Sequence, residues 1–433
     1  MTSVYELGAE PEKEPPRLPS ESDGKVQPRA PAARSLSVVV ATSADELEAH
    51  VDEWEDLAVA AVEPNPFFEH WMLIPAIRML GAGSDLRVVL VYGPNPSRPA
   101  GPKQLCGVFP LERSTRYKSF PLPTLSMWRH RYCFLSLPLI REGHAEACLR
   151  AFLEWLAAAD HRCSLMEFQR VPGEGPFSEA LVSLLHERRT LSFVTDAYAR
   201  AVLRPAANAD VYLRAAISRE HRKDFRRRSR RLSERGLVEY SEMPSASAVD
   251  DWTSAFLELE ASGWKGRTGG ALASRSNDRD FFTAMMTEAA NRNRLMMLSL
   301  DLDGKPVSLK CNLLAGDGAF AFKIAYDEEY SYFSPGVLLE LENIRRFHAR
   351  RDLTWMDSCA SPEHPMIDRL WLDRRVIQNV LIPTGQGWGS LWVSLLPMVR
   401  WLSRKIRNTK PTESSGTNTE AGDESRKPES ERT

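Results

Sequence analysis

The sequence lacks three features that would place it in a common class. No hydrophobic run approaches the ~18 residues of a membrane span, and the N-terminus has no hydrophobic stretch typical of a secretory signal. The six cysteines include no CxxC pair, which argues against a zinc ribbon and a disulfide framework. The net charge is −2, so any preference for an anionic partner must be local. We therefore expect a cytoplasmic protein without a metal site.

The length of 433 residues and the hydrophobic content of 43% predict a globular protein of at least two domains. Residues 1–35 are rich in Pro, Glu, Ser and Ala and predict a disordered leader, and the polar residues 408–433 predict a disordered tail. Between them we expect an N-terminal domain (36–205), a C-terminal domain (206–385) and an amphipathic segment (386–407).

Residues 298–357 carry the clearest local pattern. The pairs Asp303-Gly304 and Asp317-Gly318 separate three short runs, and Asp-Gly between alternating apolar residues is a strong hairpin signal. We predict a three-stranded antiparallel meander. In its second strand one face would hold Val307, Leu309, Cys311 and Leu313. In its third strand one face would hold Phe320, Phe322, Ile324 and Tyr326.

An amphipathic helix should follow the meander directly. Ser334 suits the N-cap and Pro335 the first helical position, and apolar residues then recur at helical spacing. A strand at 353–356 closes the unit. Free N–H groups at the start of this helix could bind a phosphate, although a helix cap without a ligand explains the same residues.

Three phrases carry a resemblance to a known family. They are the basic helix at 218–236, the phrase Gly263-Trp264-Lys265-Gly266, and the stretch from 302–307 through 322–327 to Ser334-Pro335-Gly336. Together they resemble the GNAT acyltransferase fold, in the CelD-like branch found with bacterial polysaccharide biosynthesis. The resemblance covers roughly 213–381 and extends more loosely to 65–68 and 130–135. It implies an acyl-CoA-dependent N- or O-acyltransferase whose fold is shared with the Fem peptidoglycan aminoacyltransferases.

The expected fold class is mixed α/β (α+β), with tandem GNAT-like domains in which mixed central sheets are flanked by helices. The resemblance implies that acetyl-CoA or another acyl-CoA is the co-substrate. Its pantetheine would follow the strand 320–326, in the gap before 353–357. The N-terminal half is either a degenerate copy that shapes the acceptor side or a separate recognition module. The residues expected to bind the donor are Tyr326, Ser334, Pro335, Gly336, Val337 and Leu338.

Residues 356–366 concentrate candidate catalytic groups, because acyl transfer to an amine needs a base and an acid. Asp357, His364 and Glu363 are the candidate bases, and Cys359 with His364 is a candidate nucleophile. Direct attack on the thioester is the norm in the GNAT fold, and a turn between two prolines explains His364 equally well.

Four residues are assigned to substrate binding: Trp264, Lys265, Lys323 and Arg369. Trp264 and Lys265 begin a loop that could act as a mobile lid. Arg369 could bind a phosphate or an acidic acceptor, with surface salt bridges as the simpler explanation.

The segment 219–235 holds nine Lys or Arg residues and three acids, and Gly236 is expected to cap its helix at the C-terminus. It could be a solvated helix face, a site for an anionic partner such as CoA phosphates, a glycan or a lipid headgroup, or an RNA site. Aromatic residues do not alternate with the basic ones, so nucleic acid ranks last and we expect no DNA partner.

The segment 388–407 is amphipathic and then basic, and Pro397 weakens the prediction of one continuous helix. Packing against the body is favoured over a position in a membrane interface.

These patterns lead to one preferred function and two alternatives. The preferred function is acyl transfer from acyl-CoA to an amine or hydroxyl of a sugar, a glycan precursor or a small metabolite. The alternatives are a Fem-like transferase that uses aminoacyl-tRNA, and a non-catalytic scaffold of a polysaccharide assembly complex.

Overall fold

The computed structural model describes residues 36–96, 101–158, 163–362, 364–385 and 387–408, with side chains up to residue 398. The predicted leader and tail lie outside these residues. In the N-terminal half the strands are β1 (Ser37–Ala41), β2 (Asp85–Gly93), β3 (Gln104–Ser114), β4 (Thr124–Met127), β5 (Leu139–Ile140), β6 (Leu165–Pro172) and β7 (Phe193–Leu203). The helices of this half are α1 (Ala44–Glu48), α2 (Val51–Val59), α3 (His70–Leu80), α4 (Ala145–Ala157) and α5 (Pro176–Glu187).

The C-terminal half repeats this order of elements. Its strands are β8 (Val238–Glu242), β9 (Leu295–Leu302), β10 (Lys305–Ala315), β11 (Gly318–Tyr326), β12 (Trp355–Asp357) and β13 (Asp373–Pro383). Its helices are α6 (Ala209–Ala216), α7 (Arg219–Ser233), α8 (Val249–Ser262), α9 (Trp264–Arg267), α10 (Ser276–Asn291), α11 (Pro335–Ala349), α12 (Ile367–Leu370) and α13 (Trp388–Asn408). The fold is the expected mixed α/β class.

The two halves share one mixed sheet with the strand order β1-β2-β3-β4-β6-β13-β7-β12-β11-β10-β9-β8. The order is symmetric about its centre, since each strand of the first half on this path has a counterpart at the mirrored position of the second half. β5 lies off the path, where it pairs with β3. In each half one pair is parallel, β4 with β6 and β11 with β12.

The last strand of each half has crossed to the other half. β7 ends the N-terminal half but pairs with β12, and β13 ends the C-terminal half but pairs with β6. The two crossed strands also pair with each other over nine residue pairs. The predicted division near residue 205 therefore falls between two halves that complete each other's sheet.

Two cores cover the faces of the C-terminal half-sheet. On one face α6, α7 and α11 pack against β9–β12 around Leu339 and Ile344. On the other face α8 and α10 pack around Phe256 and Phe282, and this core continues into the N-terminal half.

The meander forms as predicted, but the four residues expected on one face of its third strand do not share a face. A register shift places Cys311 opposite Lys323 and Asn312 opposite Ala321, so Phe322 is an extra residue in β11. A bulge of this kind reverses the alternation of side chains beyond it. Phe320 and Phe322 therefore face α8, whereas Ile324 and Tyr326 lie on the α11 face, near Gly336.

Two other predictions need correction. Pro397 lies inside one continuous helix, α13. Gly236 does not cap α7, which ends at Ser233. A Cβ at Gly236 would lie 2.2 Å from Oδ2 of Asp303, so this position requires glycine for space.

Candidate acyl-transfer site

The edge of β11 opens where its parallel neighbour ends. The pairing of β11 with β12 stops at Phe320 and Asp357, yet β11 continues to Tyr326. Among the described residues, no strand pairs with β11 on this side beyond Phe320. The gap expected between 320–326 and 353–357 is therefore present.

The bulge in β11 turns Lys323 toward α8. Its Nζ lies 3.5 Å from Oε1 of Glu260, a buried residue of α8, and Lys265 reaches the same oxygen at 2.9 Å. Burial would raise the pKa of Glu260, but Lys323 and Lys265 hold it below its usual value. Burial lowers the pKa of Lys323, and Glu260 only partly offsets this. Two predicted substrate residues thus converge on one carboxylate.

The N-terminal half supplies a wall of this cluster. The Lys323 ammonium lies 5.1 Å from the centre of the Tyr132 ring, which stacks on Phe281 of α10. Arg131 donates a hydrogen bond of 2.7 Å to Oδ2 of Asp278 at the start of α10. The segment around Tyr132 therefore joins the two halves beside Lys323.

Trp264 and Tyr326 lie at the outer end of the same cleft. With Lys265 and Glu328 they line a pocket of about 40 Å³ between α8, α9 and the end of β11. Glu328 holds α9 in place, since its Oε1 accepts a hydrogen bond of 2.6 Å from the Trp264 N–H. The phrase 263–266 forms the short helix α9 rather than a turn. Arg369 lies apart from this pocket, on the exposed side of α12.

The start of α11 differs from the predicted cap. Ser334 has a left-handed backbone (φ 55°), and its side chain makes no cap hydrogen bond. Instead its hydroxyl accepts a hydrogen bond of 2.7 Å from Nη1 of Arg228 on α7, which also donates to the Tyr332 carbonyl at 2.9 Å. The basic helix thus brings a guanidinium group to the positive end of α11, beside Gly336.

The rest of α7 borders an open groove of about 720 Å³ between α6, α7 and α11. Leu338 and Leu341 contribute apolar surface. Cationic side chains dominate the lining: Arg214, Arg219, Arg222, Lys223, Arg226, Arg230 and Arg345. Within the described parts of the chain, only Arg230 and Arg345 of this set form ion pairs. The other five do not, and one of them, Arg222, donates to backbone carbonyls instead. The groove is therefore suited to an anionic ligand.

Asp357 is fully buried between arginines of the two crossed strands. Arg375 of β13 contacts its Oδ2, and Arg200 of β7 lies 3.5 Å from its Oδ1. Its Oδ1 also accepts a hydrogen bond of 2.6 Å from the Cys359 N–H. Burial would raise the pKa of Asp357, but Arg375 and Arg200 hold it below its usual value. These surroundings favour a structural ion pair over a general base.

The other candidate catalytic residues have different surroundings. Burial and the neighbouring Asp357 raise the pKa of the Cys359 thiol, which disfavours the nucleophilic thiolate. His364 is half-buried before α12, where its Nδ1 accepts from the Ile367 N–H at 3.4 Å. Glu363 lies outside the described residues. The described residues include no cluster of three or more His, Cys, Asp or Glu side chains that could hold a metal ion.

Two residues of the site escaped the sequence analysis. Glu260 follows Phe256 by four positions, so the sequence places a carboxylate on the apolar face of α8. This position could have indicated a functional residue. Arg228 was one of nine basic residues in its segment, and nothing in the local pattern distinguishes it from the other eight.

Residues 219–364 match the family model described as "Acetyltransferase (GNAT) domain". This part of the chain resembles a GNAT acetyltransferase domain. It contains α7, the meander, α11 and β12, and therefore both the opened edge of β11 and the start of α11. No curated protein matches the chain.

Several solved structures are similar to this chain over about three quarters of its length or more. A tandem GNAT protein from the clavulanic acid biosynthesis pathway has 13% identity and a TM-score of 0.41, over 82% of this chain and 100% of its own. FemX has 10% identity and a TM-score of 0.49, over 76% of this chain and 95% of its own. The C-terminal domain of a putative lysylphosphatidylglycerol synthetase from Agrobacterium fabrum has 11% identity and a TM-score of 0.45, over 82% and 98%.

The buried ion pair gives a testable expectation for stability. Asp357→Asn leaves Arg200 and Arg375 without a counter-charge, and we expect a loss of about 3–5 kcal/mol in the free energy of unfolding. Because the folded-state pKa of Asp357 is lowered, its contribution is present above its unfolded pKa of about 4 and is lost as pH falls through the folded value. Denaturant titrations at several pH values measure both effects.

Asp352→Asn is the matched control, because the Asp352 carboxylate is 62% exposed in its ion pair with Arg350. It should cost less than about 1 kcal/mol. Equal losses in the two variants, or a deficit of Asp357→Asn that persists unchanged at acidic pH, would contradict the structural role of Asp357.

Proposed function

We propose that this protein is an acyl-CoA-dependent acyltransferase that acylates an amine or hydroxyl of a sugar, a glycan precursor or a similar small metabolite. The single observation that carries the proposal is the opened edge of β11. There the bulge at Phe322, the loss of β12 and the start of α11 follow one another along a single strand.

The donor's phosphates fit at the start of α11. The Gly336 N–H and the positive end of the helix dipole favour an anion there, whereas the Val337 N–H donates to the Ser334 carbonyl at 3.0 Å. Arg228 adds a guanidinium group, which is held by its hydrogen bond to Ser334 and by an ion pair with Asp224 at 2.7 Å. Anions that meet both a helix N-terminus and an arginine gain charge-assisted hydrogen bonds from each.

The pantetheine arm fits along the edge of β11 between Ala321 and Tyr326. Its two amide groups can hydrogen-bond to backbone groups of β11 that pair with no strand on this side in the described part of the chain. This path leads from the phosphate end, beside Tyr326, to the bulge. The thioester would then lie close to Lys323 and Glu260.

At the bulge, the chain offers two groups for acyl transfer. Backbone N–H groups outside the regular ladder can donate to the oxyanion that forms when the acceptor attacks the thioester. Lys323 can give a proton to the leaving thiolate, because burial lowers the pKa of its ammonium group. Glu260 keeps the ammonium oriented, and His364 remains the predicted base.

The donor site can be tested by calorimetric titration of acetyl-CoA and a longer acyl-CoA into the full chain. Gly336→Glu should abolish binding, because it puts a carboxylate at the phosphate position. Arg228→Ala should weaken binding about tenfold or more, since hydrogen bonds to charged groups contribute about 1.5–3 kcal/mol.

Two matched variants act as controls. Gly336→Ala adds a Cβ only 3.4 Å from Tyr326 Cδ1, an ordinary contact, and should bind normally. Arg235→Ala removes an exposed cation just beyond α7 and should also bind normally. The proposal is refuted if the unmodified protein binds neither acetyl-CoA nor the longer acyl-CoA.

The role of Lys323 can be tested with Lys323→Arg, which keeps the positive charge but cannot release a proton near neutral pH. The rate of thiol release from acetyl-CoA, with glucosamine as the probe acceptor, should fall about 10²–10⁴-fold. The KM for acetyl-CoA should change little, and the exposed Lys305→Arg should have no effect. Full activity of Lys323→Arg would assign this side chain a purely electrostatic role.

A second candidate function is transfer from aminoacyl-tRNA, and the basic groove between α6, α7 and α11 supports it. Its cationic side chains without ion pairs could meet RNA phosphates. The groove lies beside the start of α11, so an RNA end could reach the cleft at β11.

Binding of labelled total tRNA, measured by anisotropy at 50 and 200 mM salt, decides between the two functions. If Arg219, Lys223 and Arg226 each meet a phosphate, affinity should fall roughly 40-fold between these salt concentrations. The triple Glu variant should then lose binding. Acyl-CoA binding without salt-sensitive tRNA binding would eliminate the second candidate.

A further inference from the structure

The C-terminal helix α13 presents two apolar stripes, of which only one is covered. Trp392, Val393 and Leu396 pack against Tyr117, Leu165 and Leu381 of the body. This contact agrees with the favoured prediction that the segment packs on the protein. A second set of apolar side chains on the same helix points away from the body.

The uncovered stripe consists of Trp388, Leu391, Leu395 and Met398. Their exposed fractions are 77%, 49%, 37% and 52%, respectively. Their spacing of three, four and three residues puts them on one side of the helix, over a length of about 15 Å. Leu402 and Ile406 continue the same spacing in the sequence.

The surface beside α13 extends this stripe. The Phe120 ring lies 4.2 Å from the Trp392 ring and is 44% exposed. Arg116 and Lys118 lie on the same loop as Phe120, and both are exposed. Apolar and cationic groups therefore occur together on this side of the molecule.

The charge of α13 indicates what covers the stripe. Its 21 residues contain no Asp or Glu, and they include Arg400, Arg404, Lys405 and Arg407. An apolar stripe on a basic helix is typical of helices that lie in the interface of an anionic bilayer. Two copies of the helix paired through this stripe would bring eight like charges together, which disfavours a second copy as the occupant.

The described helices include none that is long and apolar enough to cross a membrane. A position in the interface needs no such helix, because only the apolar side enters the lipid while the opposite side stays with the protein or water. The packing of Trp392 and Val393 fixes the orientation of α13. The outer stripe therefore faces away from the body, where it can contact a flat surface.

We propose that α13, with the adjoining loop that carries Phe120, attaches the protein peripherally to anionic membranes. Leu391, Leu395 and their neighbours enter the lipid, and the basic residues meet the anionic headgroups. This attachment is independent of the acyl-transfer site and of the nature of its donor.

Co-sedimentation of the full chain with vesicles tests the proposal. Binding to vesicles of phosphatidylcholine with 40% phosphatidylglycerol should exceed binding to pure phosphatidylcholine at least tenfold and should weaken in 0.5 M salt. The double variant Leu391→Glu/Leu395→Glu should lose at least tenfold in affinity. Its Tm should stay near that of the unmodified protein, because both side chains are already exposed.

Val182→Glu is the matched control, since Val182 on α5 is 63% exposed and far from α13 in the sequence. It should bind vesicles normally. The proposal fails if anionic vesicles do not bind, or if the double variant binds as well as the control. It also fails if light scattering shows a dimer that the double variant abolishes, because the stripe would then belong to a second copy.

Discussion

The structure depends on the position of Asp357 between Arg200 and Arg375. These three residues belong to β12, β7 and β13, the strands at which the two halves exchange their ends. A carboxylate shared by two buried guanidinium groups is costly to break, because loss of one partner leaves charge in a dry interior. The ion pair therefore fixes where β12 ends, and with it the point at which the edge of β11 opens.

The bulge at Phe322 is the second constraint, because it makes the two ends of β11 pack against opposite faces of the sheet. Before the bulge Phe320 and Phe322 complete the core under α8, and beyond it Ile324 and Tyr326 lie on the face of α11. Lys323 lies where the side chains change faces, and its ammonium group reaches Glu260 across the cleft. One inserted residue thus brings a cation to the opened edge while leaving Tyr326 beside Gly336 at the start of α11. This arrangement is the physical basis of the proposed acyl transfer.

Local sequence patterns predicted the strands of the meander and the helix α11, but they did not predict the register between β10 and β11. The Asp-Gly pairs located the meander, and the spacing of Leu338, Leu341 and Ile344 located α11, because turns and helices depend on neighbouring residues. The bulge depends on pairing between strands, so the predicted common face of Phe320 and Tyr326 was wrong. Asp357 resembled a base because its arginine partners lie 157 and 18 residues away in the sequence, where no local pattern connects them.

The symmetry of the sheet bears on the role of the N-terminal half. β4 pairs in parallel with β6, as β11 does with β12. However, β4 ends at Met127, whereas β11 continues beyond its parallel partner along an open edge. The residues that follow leave their own half instead. Tyr132 reaches Lys323, and Phe134 packs 5.7 Å from Phe322, so this segment forms a wall of the cleft in the other half. These contacts favour the interpretation of the first half as a degenerate copy that shapes the acceptor side over that of a separate recognition module.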